Sequence, residues 1–161
     1  MAESHNIWMD TKKLLIVFPY RDENQFKSYR TALDHLLNDS NVRELNIIVV
    51  IPDSVKKESL TEHKLIAYLS PKDISLFGKV KDEKFNNIAA QPYDTFLWFE
   101  ENNSKISKLL AGIHAKWKIG INSSLDNFTI QTNCKSENPG EMVNFAKNTL
   151  EKITVNNLAV K

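Results

Sequence analysis

The sequence predicts a three-layer α/β fold: one mostly parallel sheet with helices on both faces, in a single domain. Three observations carry this. Short apolar runs alternate with segments of helical spacing from Lys13 onward. Several of those runs are continuously apolar and contain β-branched residues, as strands covered on both faces do. A length of 161 residues, with 42% apolar and 25% charged, suits one compact core. Together these describe a Rossmann-like or flavodoxin-like sheet. The expected boundaries are a flexible segment over 1–11, one domain over 12–153 and a loose tail over 154–161.

The elements follow in order. Leu14-Leu15-Ile16-Val17-Phe18 is a strand stopped by Pro19. Phe26, Tyr29, Leu33, Leu36 and Leu37 recur at helical spacing, and Asp22 with Gln25 supplies a capping box in front of them. Leu45 to Ile51 is a second strand, stopped by Pro52, which completes a βαβ unit. Leu65 to Leu69 is a third. Ser70-Pro71-Lys72-Asp73 opens a short helical turn that ends near Gly78.

Lys81 to Gln91 is a helix with Phe85, Ile88 and Ala89 inward, ended by Pro92. Tyr93 to Phe99 is the fourth strand. Ile106, Leu109, Leu110 and Ile113 form a helical stripe, with Ser104 as its N-cap. Lys116 to Ile121 alternates, which points Trp117, Ile119 and Ile121 inward. Phe128 and Ile130 mark a half-exposed edge strand. Asn138-Pro139-Gly140-Glu141 starts a last helix whose apolar face carries Met142, Phe145, Ala146, Leu150 and Ile153. The expected strand order is 3-2-1-4-5, with the Phe128 strand at the edge.

Several chemistries lack their residues. Lys plus Arg number 21 against 20 Asp plus Glu, so the net charge of +1 provides no global field to recruit nucleic acid or a membrane. No apolar run is long enough to span a bilayer. The four glycines, Gly78, Gly112, Gly120 and Gly140, avoid the turn after the first strand, which reads Pro19-Tyr20-Arg21-Asp22. Neither a dinucleotide fingerprint nor a P-loop fits there. His5, His35, His63 and His114 are scattered, and Cys134 is the single cysteine, so no zinc motif is present. Cys134 reads as a bystander on the solvent side. No cofactor is expected. Residues Met1 to Asp10 have no basic stretch followed by an apolar one, so a cytoplasmic location is expected.

Candidate site residues come from loops that such a sheet gathers at its carboxyl edge, where ligands bind beside the strand-order reversal. These are Tyr20, Arg21 and Asp22 after the first strand, and Asp53 with Ser54 after the second. Glu100, Glu101, Asn102 and Asn103 follow the fourth, and Asn122, Ser123 and Ser124 the fifth. Asp22 already has a role as a helix cap. A second feature is basic: between Glu101 and Asp126 the only formal charges are Lys105, Lys108, Lys116 and Lys118, a candidate interaction surface.

Two resemblances accompany this reading. Ser70 to Gly78 (SPKDISLFG), Pro92-Tyr93-Asp94 and Lys116 to Gly120 (KWKIG) together resemble a family of small uncharacterised bacterial proteins defined only as a domain of unknown function. That likeness covers Lys12 to Ile153 and implies no activity. Tyr93-Asp94 to Phe99, Ser107 to Ala111 and Lys118-Ile119-Gly120 are similar to the N-terminal half of the heptosyltransferase-type glycosyltransferases, which implies the fold alone.

The leading expectation is a non-catalytic interaction or ligand-binding domain with a protein partner. The alternative is an enzyme or a binder of sugar or nucleotide phosphates in the crevice between strands 1 and 4. There Arg21 would clamp the anion, with Asp22 or Glu100 as base. The strand from Asn127 to Thr132 leaves pairing with a second copy open beside the reading as a protected edge.

Overall fold

The computed structural model describes residues 5–101, 103–123 and 128–154. Its centre is a six-stranded sheet built from β1 (Lys13–Pro19), β2 (Glu44–Val50), β3 (Ile66–Leu69), β4 (Tyr93–Phe99), β5 (Ala115–Ile121) and β6 (Ile130–Thr132). The order is β3-β2-β1-β4-β5-β6 and every pairing is parallel. That is the expected order, with the edge strand starting at Ile130 rather than Phe128.

Period-two alternation divides β1 between two cores. Leu14, Ile16 and Phe18 face a layer formed by α1 (Ile7–Asp10), α2 (Glu23–Leu37) and α5 (Pro139–Lys152). Leu15 and Val17 face α3 (Glu83–Ala89) and α4 (Ser104–Leu110). The interior residues of β1 are wholly buried, because a parallel strand covered on both faces has no solvent side. Phe18 stacks on Tyr29 of α2 with centroids 4.1 Å apart, and Tyr29 in turn leans on Phe99 of β4.

Residues Asn6 to Thr11 are packed. The segment expected to be flexible holds a one-turn helix capped by Asn6, and it buries both Ile7 and Trp8. Ile7 N–H donates to the Ile153 carbonyl, and Asn6 pairs with Thr154, so the two ends of the domain close on each other. The Asp94 carboxylate then accepts from the Lys12 and Lys13 amides at the amino edge of the sheet.

The segment after β3 also differs from expectation. Its helical turn is a 3-10 turn over Pro71–Asp73, braced where Ser70 N–H donates to the Asp73 carboxylate. The chain then runs out and back as a short hairpin, with Ile74 bridged to Val80. Gly78 closes it at φ +74°, a conformation cheap for glycine.

Candidate functional site

Strand β1 lies between β2 and β4, so the order reverses between β1 and β4, where the loops ending in Arg21 and Glu100 face each other. The first loop is held by its helix. Asp22 caps α2 by accepting from Gln25 N–H at 2.8 Å, and the Gln25 carboxamide accepts from Arg21 N–H and donates to the Pro19 carbonyl. The expected capping box therefore closes one residue early, on Arg21 rather than Asp22. At the end of β4, Glu100 adopts φ +59°, a left-handed conformation unfavourable for a side-chain-bearing residue.

Three side chains meet there. Arg21 Nη2 donates to Glu100 Oε1 at 2.9 Å, and Tyr29 Oη donates to Glu100 Oε2 at 2.6 Å. The Glu100 side chain is 7% exposed and that of Arg21 is 53% exposed. One carboxylate is thus clamped between a buried phenol and a cation at the surface. Burial, and then the bond to Glu100, hold the Tyr29 hydroxyl proton well above the ordinary tyrosine range. This tyrosine was legible as a core residue, but its bond to Glu100 carried no sequence signal.

The remaining carboxyl-edge candidates are engaged elsewhere. Asp53 accepts from Lys72 N–H at 3.0 Å and its carbonyl accepts from Lys72 Nζ, tying the loop after β2 to the turn after β3. Asn103 caps α4, its side chain accepting from the Lys105 and Ile106 amides. Ser104 is the first helical residue, and the expectation that it caps is corrected. Asparagine ranks among the strongest caps, and here one carboxamide oxygen reaches two orphan amides. Asn102 and Ser124 lie outside the described residues.

Tyr20 rests its ring near Phe26, while burial and then the Glu23 carboxylate raise its hydroxyl. Asn122 accepts from Cys134 N–H, and Ser123 Oγ donates to the Glu101 carbonyl. Cys134 is half-buried against the first core rather than on the solvent side, because its neighbouring loop is pinned by Asn122. Of the expected cluster, then, Arg21 and Glu100 meet, Asp22 organises their loop, and Asp53 and Asn103 brace loops.

The four lysines also divide. Lys118 Nζ donates to the Ala111 carbonyl just past the C-terminus of α4, and burial lowers its pKa. Lys116 lies over the Trp117 ring with Nζ 4.4 Å from the centroid. Lys105 and Lys108 are exposed on α4 and line a groove of about 520 Å³ opposite the 74–80 hairpin, together with Ile74, Leu76, Phe77 and Leu109.

At the end of that hairpin, Leu76 is 102% and Phe77 89% exposed. Its base is firm: Ile74 and Val80 are buried, and Lys57 bridges Asp73 at 2.7 Å and Asp82 at 3.4 Å. In the sequence Leu76 and Phe77 stand out only as part of the Ser70 to Gly78 motif. The available signal was two adjacent bulky apolar residues before a glycine, outside any periodic stripe. Among the described residues no group of three His, Cys, Asp or Glu side chains is arranged to hold a metal ion.

Comparison with known proteins adds one relationship. The model of a family described as a family of unknown function (DUF6913) matches residues 3–153. No curated protein matches the chain.

Proposed function

The chain belongs to DUF6913, a family of unknown function, and from its own geometry we propose that it is an interaction domain acting through the face shared by the 74–80 hairpin and α4. One observation carries this reading: Leu76 and Phe77 project into solvent beside Lys105 and Lys108, on a hairpin whose base is buried and ion-paired. Bulky apolar side chains offered at a rigid tip are what interfaces use as anchors. The carboxyl-edge candidates, by contrast, are largely spent on caps and loop ties. The cytoplasm is the setting this reading takes. The likeness to heptosyltransferase-type enzymes contributes nothing to it beyond the parallel sheet.

A second reading has its own observation. Arg21 keeps about half of its side chain in solvent while Glu100 orients it, which is how a clamp for a small anion is built.

A melting-temperature panel of nucleotides, sugar phosphates and amino acids separates the two. The interaction reading expects no ligand-induced rise, and association with a macromolecule or a lipid surface that is lost on Lys105→Glu/Lys108→Glu. A rise abolished by Arg21→Ala would replace it with the binder reading.

A further inference from the structure

We propose that the surface met by the hairpin–α4 face is an anionic lipid headgroup layer, with Leu76 and Phe77 inserting and the lysines beside them reading its charge. The inference rests on the interaction reading above and names its partner.

The charge is local rather than global. Lys105 and Lys108 line the groove, Lys79 and Lys81 line a second cavity that also takes in Asp73 and Asp82, and among the described residues no ion pair engages these four exposed lysines. The carboxylates at the base of the hairpin, Asp73 and Asp82, are both bridged by Lys57. Those described residues that line the groove include two lysines and no carboxylate. A net charge of +1 over the chain gives no sign of this local pair of lysines.

The turn itself favours a fluid surface over a shaped protein pocket. Ser75 Oγ accepts from the Phe77 and Lys79 amides, the Ser75 carbonyl accepts from Gly78 N–H, and Ser75 N–H donates to the Lys79 carbonyl. The amides of Ser75, Phe77, Gly78 and Lys79 are thus satisfied internally, which lowers the cost of carrying this backbone toward a less polar layer. The side chains offered outward are two apolar ones, with the ammonium heads of Lys105 and Lys108 beside them. Apolar insertion combined with lysine attraction is the usual physics of interfacial lipid binding.

The test uses the full chain and sedimentable vesicles of phosphatidylcholine, with and without phosphatidylserine. Binding is expected with phosphatidylserine and weak without it, and it falls as salt is raised. Leu76→Ser/Phe77→Ser should weaken it about tenfold or more through lost apolar insertion. Each of Lys105→Glu and Lys108→Glu should cost about fivefold or more. All four positions are solvent-exposed, so unchanged melting temperatures separate lost binding from lost folding.

No binding to phosphatidylserine vesicles, or binding undiminished in Leu76→Ser/Phe77→Ser, overturns the proposal. In that event a photoreactive benzophenone side chain substituted at Phe77 distinguishes the failures. A specific protein crosslink, absent in the Lys105→Glu/Lys108→Glu background, leaves the interaction face standing with a different partner. No crosslink overturns both.

Discussion

Arg21 and Glu100, seventy-nine positions apart, meet at 2.9 Å across the point where the strand order reverses. The pair is asymmetric: the carboxylate is enclosed and the guanidinium stands half in water. Its inner anchor is Tyr29, which approaches from α2 and bonds the second oxygen. The loops after β1 and β4 are therefore joined through one carboxylate, held in a strained left-handed turn at the end of its strand.

Removing the tyrosine hydroxyl should cost more than removing the arginine. Tyr29→Phe leaves a nearly buried carboxylate oxygen without its donor, a loss of about 1–3 kcal/mol. Arg21→Ala opens the outer oxygen to water and should cost about 1 kcal/mol or less. Urea unfolding of both variants and of their double mutant measures this order and the coupling between them. Equal or reversed losses would show that the ion pair, not the phenol, holds Glu100.

The identity of the α4 cap is checked by two alanines. Asn103→Ala removes the acceptor for two helix amides and should destabilise by about 1 kcal/mol. Ser104→Ala replaces a first-turn helical residue by the best helix former and should be neutral to within about 0.5 kcal/mol. Denaturation midpoints of the two variants decide it.

Gly120 is required by its neighbour across the sheet face. A Cβ there would lie 2.6 Å from the ring of Phe128, which packs edge-on against Trp98. Gly120→Ala should therefore displace that ring and cost about 1–3 kcal/mol, as overpacking does. The Trp98 emission should shift with it. An unchanged spectrum and melting temperature would mean that Phe128 moves aside freely.

Acid should act on the base of the hairpin through Asp73. Burial alone would raise its carboxyl, but bonding to Lys57 and to Ser70 N–H outweighs this and holds it below the ordinary 3.8. A group depressed on folding contributes stability above its unfolded value and loses it as pH falls through the folded one. The stability advantage of the wild-type chain over Asp73→Asn should thus persist at neutral pH and shrink once pH drops below that value. Urea titrations of both proteins between neutral and acid pH measure it; a constant difference would refute the assignment.

The alternation of apolar runs with helical stripes determined the layers, the parallel sheet and the helix starts at Asp22 and Asn138, because burial periodicity and capping are local properties of the chain. The strand order agrees with the expected 3-2-1-4-5, although spacing along the chain does not fix it. Which polar loop residues touch was not legible. Asp53 pairs with Lys72 and Glu100 with Tyr29 over separations that no spacing encodes, since every loop at the carboxyl edge is polar whatever its role. Exposure was likewise decided by the tertiary structure. Ile74 and Leu76 are both aliphatic, yet one packs under the sheet and the other stands in solvent, because the hairpin turns between them.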